Sequence, residues 1–125
     1  MKAVILPVTG APYITDLAEP IHRSASELLG GLIEHVNPRG LKLPLCMLVN
    51  EDYLRLRLPF NAVASFLYGT QVHGHPICGP AIIMKQTYDD VIGLDRKEAA
   101  RIQLIMEAMQ HSIKQAGIFN DTKEG

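Results

Sequence analysis

The stretch that most restricts the fold is Leu58 to Lys85, LPFNAVASFLYGTQVHGHPICGPAIIMK. Asn61 follows Pro59-Phe60 and precedes AVASFLYG, which makes it the natural N-cap of a helix of about two turns that ends at Gly69. The spacing predicts that Ala62, Phe66 and Leu67 face inward. Pro76 to Met84, PICGPAIIM, reads as an apolar strand broken at Gly79-Pro80, because a proline cannot donate to a sheet ladder and marks a bulge or an edge. Only the turn Thr70 to His75 separates helix from strand, so partner strands and a helical cover must come from elsewhere in the chain.

They are legible on both sides. Ala3 to Leu6 is a short apolar run bounded by Pro7 and Gly10, suited to a buried strand, and Tyr13 to Leu17 returns as its hairpin partner. Ser24 and Glu27 have the capping-box spacing, so a short helix is expected from Ser24, with Leu28 and Leu29 inward and Gly30-Gly31 as its stop. Leu32 to Val36 and Leu45 to Val49 read as paired strands around the turn Asn37-Pro38-Arg39-Gly40. Tyr53-Leu54-Arg55-Leu56-Arg57-Leu58 alternates strictly, which predicts a half-buried strand with leucines on one face and arginines on the other. Gln86 to Leu94 is a linker of mixed polarity. Asp95 and Glu98 then open the longest helix, about 95–116, with Ile102, Ile105, Met106, Met109 and Ile113 as its stripe and Gly117 as its end.

The expected fold class is therefore α+β: a small antiparallel or mixed sheet, two short helices and a long C-terminal helix. A chain of 125 residues suits one core, placed at 1–118 with its centre in 1–85, and 119–125 reads as a disordered tail. A formal charge of −1 gives no global field for a nucleic-acid backbone, and the few aromatic residues offer little stacking surface. Nucleic acid is thus an unfavoured partner. Cys46 and Cys78 are too few for a disulfide framework, the apolar run at the N-terminus is too short for an export signal or a membrane span, and a cytoplasmic location is expected.

Three groupings can carry chemistry. Arg55 and Arg57, about 7 Å apart on one side of a strand, would clamp a phosphate or carboxylate, with Tyr68, Thr70 and Gln71 as a hydrogen-bonding rim and His73 and His75 beside them. His73, His75 and Cys78 form H-x-H-x-x-C, three ligand types that zinc accepts, but no fourth ligand pattern accompanies them and a polar turn over a core cysteine is the plainer reading. Cys78 could also be a thiol nucleophile beside a histidine, although it opens an apolar strand rather than a helix. No phosphate-binding glycine loop, dinucleotide fingerprint or nucleophile elbow is present. No catalytic residue, metal or cofactor is assigned. The methionine-containing stripe of the last helix is a cover for the sheet or a homo-oligomer contact.

The succession MKAVILP, LLGGLIEHV, MLVNEDY, LPFNAVASFLYG and GHPICGPAIIM resembles the domain-of-unknown-function family numbered 3846, over about Met1 to Lys85. The matching features are the first strand, the G-G-x-I-E segment, the L-V-N-E strand end, the N-x-x-A-x-x-L-Y-G helix and the G-x-A-x-I strand. The resemblance implies a small cytoplasmic protein of phages, plasmids and mobile elements, with no enzymatic activity attached. Val72 to Pro76 and the long C-terminal helix depart from that pattern. The expected function is a non-catalytic binding module, possessing a site for a small anionic, nucleotide-like ligand or a host protein, in an anti-defence role and as a homo-oligomer. The alternatives are a small metallo- or thiol-dependent hydrolase using His73, His75 and Cys78, or a nucleic-acid-binding domain.

Overall fold

A computed structural model describes residues 1–40, 42, 44–70, 74–88 and 90–118. The expected tail lies outside them. In chain order the elements are β1 (Lys2–Leu6), β2 (Tyr13–Asp16), α1 (Ile21–Leu29), β3 (Ile33–Val36), β4 (Leu45–Asn50), α2 (Ala62–Tyr68), β5 (Ala81–Gln86), β6 (Val91–Ile92) and α3 (Arg96–Ala116). The class is α+β, with a long C-terminal helix. The sheet runs β2-β1-β5-β4-β3, every pairing is antiparallel, and β6 pairs with the end of β5.

The central strands are buried on both faces. Val4, Leu6, Met47, Val49, Ala81 and Ile83 face the side covered by α2 and α3. Ala3, Ile5, Cys46, Leu48, Ile82 and Met84 face α1. This explains why β1, β4 and β5 read as continuous apolar runs and not as alternating ones. Ile82 and Ile83, neighbours in the chain, are both fully enclosed on opposite sides, each burial contributing roughly 1.5–3 kcal/mol.

Asn61 caps α2 as its sequence position requires, accepting from Ala64 N–H at 3.0 Å. Gly69 closes that helix in the left-handed conformation at φ 93°. The inner face differs from expectation: Val63, Ala64, Ser65 and Leu67 are buried, Phe66 is exposed and Ala62 lies at the margin. With Asn61 fixed by buried hydrogen bonds, the helix is rotated so that Ser65 and not Phe66 meets the chain at Ile77. In α3 the capping box is complete, with Asp95 accepting from Glu98 N–H and Glu98 accepting from Asp95 N–H. Ile102, Met106 and Ile113 form its inner face, Met109 packs against the core, and Ile105 stays exposed.

Four further expectations are corrected. Helix α1 begins at Ile21 after Pro20 and has no side-chain cap; Ser24 lies within it and donates to the Ala18 carbonyl, and of the two leucines Leu29 is the buried one. The segment Gln86 to Leu94 is a hairpin, with β6 lying on the edge of β5 beyond β1 and Leu94 bridging Lys2. Tyr53 to Leu58 is not a strand. The Asn50 side chain donates to Leu29 O and accepts from Asp52 N–H, which starts a turn continued by Leu56 N–H to Asp52 O and Leu58 N–H to Tyr53 O. Tyr53 is drawn into the core while Leu54 and Leu56 point outward. A buried tyrosine ring and an Asn-seeded turn outweigh the alternation. The strand expected from Pro76 begins at Ala81, Gly79 taking φ 81°, and Cys78 makes an isolated bridge to Phe60.

Candidate functional site

On the α2 side, Tyr53, Tyr68 and Cys78 belong to one core cluster. Burial, and then the neighbouring Glu34, Cys78 and Tyr68, push the Tyr53 hydroxyl to a higher pKa. The Gly74 N–H bonds the Thr70 carbonyl at 2.7 Å and closes the turn after α2. This brings His75 back over Tyr68, with Tyr68 Oη and His75 Nε2 3.4 Å apart and the ring centroids 5.3 Å apart. The Thr70 hydroxyl oxygen is buried and has no hydrogen-bond partner among the described residues.

Of the residues expected in one site, Tyr68 and His75 are in contact, and the Thr70 carbonyl accepts from Gly74 beside them. The arginines do not flank a common strand face: Arg55 is bound to Asp52 at 3.0 Å and Arg57 occupies the left-handed region at φ 55°. Asp52 holds the Arg55 proton more tightly than usual, through its hydrogen bond and its charge. Gln71 and His73 lie outside the described residues.

The second place is a cleft of about 320 Å³ on the α1 side of the sheet. His22 reaches it from the first turn of α1 and His35 from β3, whose register with Leu48 turns the imidazole towards the α1 layer. The β5–β6 hairpin supplies Gln86, Thr87, Tyr88, Asp90 and the buried Val91. Thr87 Oγ1 donates to the Asp90 carbonyl at 3.2 Å, and Asp90 Oδ1 accepts from Val91 N–H at 2.8 Å. These bonds hold the hairpin end in shape, and the Tyr88 ring is left wholly in solvent at the rim. None of these residues was in the sequence-derived site. The two histidines are 13 positions apart and Gln86 of the hairpin lies 51 further on, so no motif joins them; only the turn signals around Asp90 could have shown that the supposed linker was structured.

The cysteines are in poor positions for nucleophilic work. Burial raises the thiol pKa of Cys78, and that of Cys46 to about 11, against the opposing hydrogen bond from Met84 N–H. A thiol held protonated in an apolar layer neither attacks nor ligates readily. Among the described residues, no three histidine, cysteine, aspartate or glutamate side chains converge as a metal ion would require. No helix there is long and apolar enough to cross a membrane.

A family model described as Domain of unknown function (DUF3846) matches residues 1–111. The chain belongs to this family. The match includes both candidate places and runs well into α3, beyond the limit at Lys85 set by the sequence motifs. The long helix is thus largely part of the DUF3846 pattern and not an addition to it. No curated protein and no solved structure is similar to the chain.

Proposed function

We propose that this DUF3846 protein is a non-catalytic binding module for a small anionic, nucleotide-like ligand, taken up in the cleft between His22, His35 and the β5–β6 hairpin. The observation that carries this reading is the convergence of two imidazoles from separate elements on a polar concavity of about 320 Å³, within the range of roughly 300–1,000 Å³ usual for small-molecule sites. Imidazole N–H groups suit phosphate or carboxylate oxygens. The Gln86 amide can meet the edge of a base, Asp90 can accept from a hydroxyl or an amine, and the exposed Tyr88 ring can cover a planar group. The first amides of α1, which have no side-chain cap, add positive partial charge on the His22 side.

The turn carrying Tyr68, Thr70 and His75, with Arg55, Arg57, Gln71 and His73 as its companions, is the alternative seat for the same ligand class. A cytoplasmic module of a phage or mobile element that sequesters a nucleotide signal would serve as an anti-defence protein, and a host protein could be the target in place of a nucleotide. The hydrolase reading gains no support from a buried, proton-retaining Cys78, and a formal charge of −1 favours no nucleic acid.

Titration with adenosine monophosphate and with inorganic phosphate, followed by amide and imidazole NMR shifts, tests the proposal. The expected perturbations fall on His22, His35 and Gln86, and His22→Ala with His35→Ala removes them while the remaining spectrum is kept. Shifts confined to Tyr68, Thr70 and His75, lost in Arg55→Ala with Arg57→Ala, would move the site to the other face. Saturation with neither probe would rule out the small-anion reading.

A further inference from the structure

The cleft between α1, β3 and the β5–β6 hairpin is short of permanent positive charge. Among the described residues that line it, only His22 and His35 can become cationic, and no lysine or arginine joins them. Asp90 adds a carboxylate to the same lining. The lining therefore carries one net negative charge when both imidazoles are neutral and one net positive charge when both are protonated. Charged groups on the surrounding elements leave this balance unchanged. Lys85 of β5 lies on the opposite face of the sheet, paired with Glu98 at 2.8 Å, and Glu34 of β3 acts on Tyr53 on that same opposite face. Glu19, Arg23 and Glu27 stand in solvent around α1 and do not line the cleft. The Cys46 thiol in the α1-side core is kept protonated by burial, and the Tyr88 phenol carries no charge near neutrality. The uncapped first amides of α1 add about half a unit of positive charge, too little to offset Asp90.

We infer that anion binding in this cleft is coupled to proton uptake by His22 and His35, so that the site fills in mildly acidic solution and empties as pH rises past neutrality. This control rests on the placement of the anionic ligand in the same cleft. Both histidines are exposed and neither is ion-paired to a carboxylate among the described residues, so each exchanges its proton with solvent. An imidazole ordinarily changes charge near pH ~6.5, within the range where such a switch is useful. An anion between two imidazolium groups stabilises both protons, and binding and protonation therefore favour each other. At low pH the free protein already holds both protons and the full affinity is present. As pH rises through about 6.5 the free protein loses protons that the complex must regain, so Kd rises about tenfold per pH unit for each imidazole required. A lysine or arginine in either place would hold the anion at any ordinary pH; two histidines make its retention conditional.

Calorimetric titration of the full chain with adenosine 3′,5′-cyclic monophosphate at about pH 5.5 and about pH 7.5 tests the coupling, with NMR shifts locating the ligand. A phosphate diester is used because the second ionisation of a monoester falls in the same range. Kd should rise by about a hundredfold between the two conditions. His22→Gln or His35→Gln should each reduce that rise to about tenfold, by weakening binding at the lower pH and leaving it nearly unchanged at the higher one. An equal Kd at both pH values, with His22 and His35 still perturbed by the ligand, overturns the coupling and leaves the site in place. Glutamine variants that weaken binding alike at both pH values also overturn it, because the imidazoles then act as neutral donors. Absence of saturation at either pH overturns the site and its coupling together.

Discussion

The side-chain amide of Asn61 donates to the carbonyl of Leu6 at 2.9 Å, joining the start of α2 to the end of β1 across 55 positions of sequence. The same amide nitrogen donates to Gly79 O at 2.9 Å, and the Asn61 oxygen caps Ala64 N–H. One buried side chain thus fixes a helix to the end of β1 and to the bend at Gly79 that precedes β5. Asn61→Ala removes the cap, about 1 kcal/mol, and leaves buried carbonyls short of a donor, about 1–3 kcal/mol. A loss of roughly 2–4 kcal/mol is expected in urea denaturation. Asn61→Asp keeps the cap but not the donors, and should recover only the smaller part.

Ser65 works beside it. Its hydroxyl donates to Ile77 O at 3.1 Å and accepts from Ile77 N–H at 2.9 Å. The Ile77 carbonyl keeps a second donor in Asn61 N–H, so Ser65→Ala strands chiefly the Ile77 N–H. About 1–3 kcal/mol should be lost, and Ile77 should show faster amide exchange. Exchange as slow as in the wild type would mean that the hydroxyl does not carry this contact.

Gly79 sits at φ 81°, where an added Cβ would also lie 2.8 Å from Leu58 Cδ1. Gly79→Ala should cost about 1–2 kcal/mol from the left-handed backbone, plus the displacement of the leucine tip. Combining it with Leu58→Ala relieves the contact but not the backbone. A double-mutant cycle on thermal stability should therefore show a favourable coupling smaller than the cost of Gly79→Ala itself.

Cys46 makes stability fall at alkaline pH. Its thiol is held up to about 11 by burial, from 9.0 in the open chain. Below pH 9 both states are protonated and the full stability is present. As pH rises towards 11 the unfolded chain loses the proton that the folded chain keeps, so stability falls, by roughly 2–3 kcal/mol in all. Cys78 adds to the same trend. Cys46→Ala should flatten the decline of the urea midpoint between pH 9 and 11, relative to the wild type measured alongside.

The sequence by itself determined the elements whose signals are local. The apolar runs at Ala3 and Leu45, the Asn61 cap with its Gly69 stop, the Asp95–Glu98 box and the Gly117 end are each readable because the residues that make them lie within a few positions of one another. The Tyr68–His75 contact is local in the same sense, seven positions apart. Only the tertiary structure decided the rest. Leucine–arginine alternation at 53–58 gave way to a turn because Asn50 bonds Leu29, 21 positions away, and because Tyr53 gains more from burial than Leu54 or Leu56. Likewise the His22–His35 cleft exists only where α1, an edge strand and a hairpin meet. Local hydrogen bonds and spacing can be read along a chain, whereas burial is settled by what the chain brings opposite.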